Sequence, residues 1–422
     1  MPKTLEYLNN NGAVSLQGFN KVGDNTFPNI IPMLLGISSK ELKNTCLPHR
    51  KAKFDNCPFI WERFKQAGYY TAFGEDGSHL RAFNYDGAGF VDGPTDYYLH
   101  TFMNEAEKIA GNNKDIFSYL CLHDKYFYKV LLDYVENLTT ALSDSKLFGF
   151  FWEFSMTHDY LNYPMIMDDD YVNLFKELDS NGYLEDTIVF LVSDHGMRWG
   201  DIRLTRQGRL EERLPFAFIL LPRSFREIYT EAYKNLKLNA KRLTTPFDIH
   251  ATLLDLINID NLRNENINRM KQEAYGDDRS ISLFIPIPNN RTCKSAEISE
   301  HWCTCNKERS ISNDDPDAIA ASTHLIKHFN NILTNYPQCA RHELAEIIEA
   351  AEIAVKDDNE IDSRVILVVL RSKPSNGIFE GTLRRVNGLW NISGTVSRLN
   401  LYGEQGNCMP ELRLRLYCFC QL

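Results

Sequence analysis

"TIVFLVSDHG", residues 187–196, is an uncharged apolar run that stops on Ser193, Asp194, His195 and Gly196. A continuous run of this kind reads as a strand buried on both faces, as in a parallel sheet covered by helices. Open α/β sheets place their ligand sites beyond the carboxyl ends of such strands, and Asp194 and His195 arrive there. One carboxylate and one imidazole suit a divalent cation, and Gly196 lets the backbone turn behind them. The same tetrapeptide also fits a polar loop in which Asp194 caps the next helix.

On either side of it the pattern repeats. "YYTAF", "LFGFFWEFS" and "LPFAFILLP" read as strands; "FIWERFKQAG", "YFYKVLLDYVENLTTALSDS", "DDDYVNLFKELDSNGYLEDT" and "PFDIHATLLDLINI" read as helices. Strands alternating with helices predict an α/β fold, a largely parallel sheet sandwiched by helices, over residues 1–275. Composition turns polar and turn-rich near 260–315, which places a seam there. Residues 276–422 read as a smaller, Cys-rich α+β subdomain. A helix in "HELAEIIEAAEIAVKDD" (342–358) is followed by strands in "SRVILVVLRS", "GIFEGTLRRV", "WNISGTVSRL" and "ELRLRLYCFC". The acids Asp168, Asp169 and Asp170 open a helix, where they complement its dipole.

The chain has 422 residues and a formal charge of −10, from 46 basic and 56 acidic residues, with no long basic block. That balance argues against a nucleic-acid partner. No apolar run approaches the roughly 20 residues that span a bilayer, and "MPKTLEYLNNNG" carries no signal-peptide core. The ten cysteines, crowded late in the chain, suggest disulfide stapling. The sequons at Asn137, Asn290 and Asn391 agree with secretion.

In "GDNTFPNIIPMLLG" (23–36), Thr26 stands at a helix start with Pro28 in the first turn. The unpaired N–H groups there suit a phosphate or sulfate, and a metal would make the hydroxyl a nucleophile. Thr26 equally fits a plain N-cap. His158, in "FFWEFSMTHDYLNYP", follows a buried strand and offers a further metal ligand or a donor to a substrate oxyanion.

These pieces together resemble the alkaline-phosphatase superfamily, which includes sulfatases and nucleotide phosphodiesterases. "SDHG" is similar to its metal-binding Asp-His pair, and Thr26-Phe27-Pro28-Asn29 to the phosphodiesterase branch's threonine nucleophile. "GRLEERLPFAFILLP" and "PFDIHATLLDLINI" are similar to sulfatase segments, and order and spacing match over about residues 10–260. Closer still is the animal branch known as domain of unknown function 229, which "GDNTFPN", "DNCPFIW", "GED", "PTDYYL" and "YGEQGNC…LRLYCFC" resemble. The resemblance implies a metal-dependent hydrolase or transferase of phosphate or sulfate esters, acting on a small molecule or glycan. One or two divalent ions (Zn, Mn or Ca) would be bridged by Thr26 and bound by Asp194, His195 and His158. Asn29 would serve the oxyanion, and Arg206 or Arg209 would stand in for the sulfatases' substrate-binding lysine. It also implies an extracellular or secretory-pathway location for the full-length family member.

Two departures qualify this. The superfamily's opening strand carries a metal-binding Asp, yet the only acids before Thr26 are Glu6 and Asp24. Asp24, two residues from Thr26, is a poor stand-in, so the sheet is expected to lack a central strand and the metal site to be impaired. Where sulfatases hold sulfate with Gly-Lys-Trp-His, "AGYYTAFGEDG" puts Glu75 and Asp76, read as a turn with solvated acids. The missing sulfate-binding residues shift the expectation towards a phosphoester, and the missing first-strand Asp makes an inactive ectodomain that binds a glycan or protein the alternative function.

Cys46-Leu47-Pro48-His49-Arg50 spells the sulfatase formylglycine pattern C-x-P-x-R. That cysteine must lie ten residues before a helix-ending glycine, as Thr26 does before Gly36; ten residues after Cys46 stands Asn56. Cys46 is instead expected to pair with Cys57 across a short loop.

Overall fold

The apolar run of residues 187–192 does become a strand, but its neighbour runs against it. The computed structural model describes all residues except 50, 79–81, 84–88, 111–112, 274–278, 356–362 and 422. They group into two compact units. The first comprises Met1–Phe19, Thr26–Asp194 and Phe216–Arg291. The second comprises Asn20–Asn25, His195–Pro215 and Thr292–Leu422. The seam falls at Arg291/Thr292, and two earlier segments belong to the second unit.

In chain order the first unit holds α1 (Pro2–Asn10), β1 (Val14–Ser15), α2 (Thr26–Leu35), α3 (Leu42–Thr45), α4 (Ile60–Gln66), β2 (Tyr70–Glu75) and β3 (Tyr97–Tyr98). Next come α5 (His100–Ile109), β4 (Cys121–Leu122), β5 (Lys125–Tyr126), α6 (Phe127–Ala141), β6 (Leu147–Trp152), α7 (Asp168–Ser180) and β7 (Val189–Val192). After α8 (Arg206–Arg213) of the second unit, the first resumes with β8 (Ala217–Leu220), α9 (Arg223–Ile228), α10 (Thr230–Asn239), α11 (Pro246–Ile257) and α12 (Asn264–Glu273).

The expectation of a largely parallel sheet holds in part. β3, β2 and β6 form a three-stranded parallel sheet in that order. β1, β8 and β7 form a second sheet in which β8 runs antiparallel to both neighbours. Among the described residues β6 and β7 are therefore edge strands, and none of their side chains is fully buried. Both sheets lean on one helix. Leu253 and Leu256 of α11 pack against the Phe190 and Val192 cluster, and also against the cluster with Phe148, Phe150 and Trp152.

α2 is positioned by close contact with α11. Its residues Asn29 to Leu35 are all buried, and the helix stops at Gly36, whose φ is +71°. A Cβ at Gly36 would lie 2.5 Å from the His250 ring, so only glycine permits this approach. His250 donates its Nδ1–H to the Met33 carbonyl at 3.1 Å, satisfying an acceptor near the helix end. Burial lowers His250 to about 4, which keeps the ring neutral. The start of α11 carries a capping box between Thr245 and Asp248. Asp248 also takes a two-pronged ion pair from Arg291, at 2.7 and 3.0 Å, inside the core.

The second unit contains β9 (Lys307–Ser310), α13 (Pro316–Ile332), β10 (Glu343–Ala354), β11 (Arg364–Lys373), β12 (Ile378–Val386), β13 (Leu389–Ile392) and β14 (Ser397–Arg398). These strands form one antiparallel sheet ordered β13-β12-β11-β10-β9, with β14 on β12. β11 is buried on both faces. Ile366, Val368 and Leu370 meet Leu325 and Phe329 of α13, while Val365, Leu367 and Val369 meet Ile353 and Leu399.

Two expectations fail here. Residues 343–354 form a strand, not a helix. The register slips twice along β10, between Leu344 and Glu346 and between Ile347 and Glu349. Each slip breaks the alternation of period two, so the apolar residues fall at helix-like intervals. "ELRLRLYCFC" is not a strand but turns around a short 3₁₀ segment, Leu412–Leu414. The disulfides Cys339–Cys418 and Cys408–Cys420 tie it down. The expected Cys46–Cys57 bridge is present, as is Cys293–Cys303.

Candidate active site

Thr26 opens α2, a ten-residue helix, with its side chain partly exposed. Asp194 lies two residues beyond β7 and is 7% exposed. The strand end is fixed by the Ser193 N–H, which donates to the Phe216 carbonyl at 3.0 Å. His195 follows directly and belongs to the second unit. Its Nδ1 donates to the Gly196 carbonyl at 2.8 Å, which leaves Nε2 as the lone-pair nitrogen. Gly196 itself is obligatory, since a Cβ there would sit 2.4 Å from the Glu211 carbonyl oxygen of α8.

His158 has the same preparation by a different partner. Its Nδ1 lies 2.9 Å from Oδ1 of Asp159, whose other oxygen accepts from the Phe117 and Ser118 N–H groups at 2.8 and 3.0 Å. Against the effect of burial, His158 and those two amides hold the Asp159 carboxyl below its usual range. A histidine clamped at Nδ1 by a buried carboxylate presents Nε2, the arrangement that metal-binding imidazoles use. Asp159 was not singled out from the sequence; its adjacency to His158 was the available signal.

Two expected participants are buried. Asn29, in the first turn of α2, is completely buried. Arg209 is 2% exposed and spent on three carboxylates: Nε on Glu380 at 3.1 Å, one terminal nitrogen on Glu308 at 3.0 Å and the other on Glu349 at 2.6 Å. Three of its five N–H donors are thus committed to carboxylates of the second unit. Arg206 is exposed at the first position of α8 and remains the candidate cation.

Arg209 is one member of a buried ionic cluster within the second unit. Glu380 also accepts from Arg213 at 2.7 Å and lies 3.5 Å from Arg203, and Lys21 pairs with Glu212. Burial alone would raise Glu380, but Arg213, Arg203, His301 and Arg209 hold its carboxyl far below the ordinary range. Burial drives Lys21 well down, beside Asp24 and three arginines. Asp24 is itself engaged, with Arg198 at 3.1 Å and the Ser397 hydroxyl at 3.3 Å.

Glu75 and Asp76 are not the solvated turn expected of them. They are 4% and 0% exposed at the end of β2. Asp76 accepts from the Phe154 and Ser155 N–H groups at 2.9 and 3.0 Å, and its own N–H donates to the Trp152 carbonyl at 3.1 Å. Glu153, just past β6, hydrogen-bonds Asp76 and accepts from the Met156 N–H at 2.8 Å. Burial, and then the adjacent Asp76, push Glu153 well above the carboxylate range. Burial raises Asp76 as well, but its two backbone donors favour the charged form, which assigns the proton of the touching pair to Glu153. The pair stitches the ends of β2 and β6 at the root of the segment that carries His158.

Among the described residues, the groups of three or more His, Cys, Asp or Glu ligand atoms within 4.8 Å of one another are built on cystines. The donor types themselves, carboxylate and correctly tautomerised imidazole, fit Zn or Mn.

Fold and site together define an α/β protein with an Asp-His pair beyond a strand end and a threonine at a helix start. The family described as "Protein of unknown function (DUF229)" matches residues 1–348, and the chain belongs to it. Two Arabidopsis thaliana proteins, "Inactive exonuclease DIS3L2" and "DIS3-like exonuclease 2", are each 26% identical over 180 residues. That match spans 40% of this chain and 16% of theirs. A solved structure from work on glycosaminoglycan metabolism by Bacteroides thetaiotaomicron, labelled 6S-sulf, is 12% identical. It aligns over 86% of this chain and 82% of its own, with a TM-score of 0.39, too low to carry an argument about fold or activity.

Proposed function

We propose that the chain is a metal-dependent hydrolase or transferase of phosphate or sulfate esters with Thr26 as nucleophile. The observation that carries this reading is the helix-start position of Thr26 in a chain whose Asp194-His195 pair ends a strand, with His195 held as the Nε2-lone-pair tautomer. One or two divalent ions (Zn, Mn or Ca) would supply Lewis acidity, with Asp194, His195, His158 and Thr26 as the residues to hold them. The N–H groups that open α2 would receive the ester's anionic oxygens, and Arg206 would add a positive charge. Four disulfides favour a secretory-pathway or extracellular location, and no described helix is long and apolar enough to cross a membrane.

The second reading, a binding ectodomain without catalysis, is favoured by Asp24 being tied to Arg198, Asn29 being buried and Arg209 being consumed. The two separate on metal content and turnover. The enzyme reading expects a divalent ion after dialysis, and hydrolysis of p-nitrophenyl phosphate or sulfate that Thr26→Ala abolishes. Turnover that survives Thr26→Ala removes Thr26 from the chemistry. Absence of both bound ion and turnover leaves the binding reading.

A further inference from the structure

The chain has eleven histidines. Those in the folded interior have assigned partners: His250 bonds the Met33 carbonyl, His301 the Thr382 hydroxyl at 2.9 Å, and His342 the Ser372 hydroxyl and Tyr417 carbonyl. His324 and His328 differ. Both lie on α13, a seventeen-residue helix, four positions apart. Ala321, Leu325 and Phe329 form the stripe that packs on the sheet. The two histidines flank that stripe, and each is partly exposed.

Residues at i and i+4 on a helix have Cβ atoms about 5–6 Å apart on one face. Two imidazoles so placed reach a single ion at the ordinary metal–nitrogen distance of about 2.0–2.1 Å. Burial lowers both rings from their ordinary value, helped by Lys327 at His324 and by His324 at His328. Neither ring takes part in a hydrogen bond or ion pair with another described residue.

We propose that His324 and His328 form a bidentate surface site for a borderline divalent transition-metal ion, Zn²⁺, Cu²⁺ or Ni²⁺, with water completing its shell. Hard ions that prefer oxygen, Ca²⁺ and Mg²⁺, are excluded by the donor set. This site uses no residue of the Thr26, Asp194 and His195 reading and stands whether or not that reading does. The exposed Lys327 ammonium beside His324 opposes the ion and sets a ceiling on affinity.

The full chain, stripped with chelator, is titrated with Cu²⁺ and with Zn²⁺ at pH 7.5, followed by calorimetry, and by electron paramagnetic resonance for Cu²⁺. One equivalent is expected at this site. His324→Ala or His328→Ala should weaken it at least tenfold, the double variant should remove it, and Lys327→Gln should tighten it a few-fold. The melting temperature of each metal-free variant should match that of the parent, because both rings are partly exposed. The proposal is overturned if the double variant keeps the parent's stoichiometry and affinity, if the parent binds neither ion, or if the Cu²⁺ spectrum lacks coupling to two imidazole nitrogens. Equivalents that persist in the double variant while one is lost belong to another position and leave the assignment standing.

Discussion

Replacing Glu153 by glutamine isolates the proton shared between β2 and β6. Asp76 already accepts two backbone N–H groups, so the pair's negative charge rests on Asp76 and Glu153 acts as a donor to it. A glutamine amide has the same size and can donate in the same direction. The native pair keeps a proton that the unfolded chain releases near the ordinary glutamate value of 4.5. Between that pH and the raised native value the folded state binds more protons, so stability declines as pH rises, by about 1.4 kcal/mol per unit for one full proton. From pH 5 to 7 the ceiling is about 2.7 kcal/mol, and because Glu153 keeps some exposure we expect about 1–2 kcal/mol. Glu153→Gln should therefore match the parent at pH 5 within about 1 kcal/mol and exceed it at pH 7. Urea unfolding at pH 5, 6, 7 and 8 reads this as a difference curve. Asp255, raised to about 6 by burial, contributes alike to both proteins and cancels. A variant with the parent's full pH slope, or one less stable than the parent at pH 7, would refute the shared proton.

Arg291→Ala should destabilise the first unit by about 3–5 kcal/mol, because it leaves the buried Asp248 carboxylate without its cation; chemical denaturation measures this directly. Glu380→Gln should cost a similar amount in the second unit, since Arg203, Arg209 and Arg213 lose the carboxylate they share. Its melting temperature should fall further than that of Glu308→Gln, whose carboxylate is 22% exposed. Cys46→Ser should lower stability by about 2–4 kcal/mol through loss of the bridge to Cys57, an effect that vanishes when parent and variant are compared under full reduction.

The parts of the chain that obey one period were legible from sequence. β6, β7, α6, α7 and α11 all appear where unbroken apolar runs or helical spacing put them. Direction was not legible, because an apolar run such as residues 216–221 looks the same whether its partner runs with it or against it. β10 was misread for a specific reason: two register slips gave a strand the spacing of a helix, and its alanines and glutamates add helical propensity. At the site, Thr26, Asp194 and His195 could be named from local motifs. The consumption of Arg209 could not, because its partners lie 99, 140 and 171 residues away. The acids at 75 and 76 were misjudged likewise: the amides that hold Asp76 lie 78 and 79 residues away.

The composition of the second unit bears on how the protein must be made. Its segments 20–25 and 195–215 emerge from the ribosome long before the sheet that receives them. Lys21 meets Glu212 across 191 residues, Asn20 meets Trp302 across 282, and Arg213 meets Glu380 across 167. Until β12 is synthesised, several strongly charged side chains have no buried counterpart and must wait in water. Contacts this distant close slowly and late, so this unit assembles only after β12 has been made, and the nascent chain carries open strand edges through that interval.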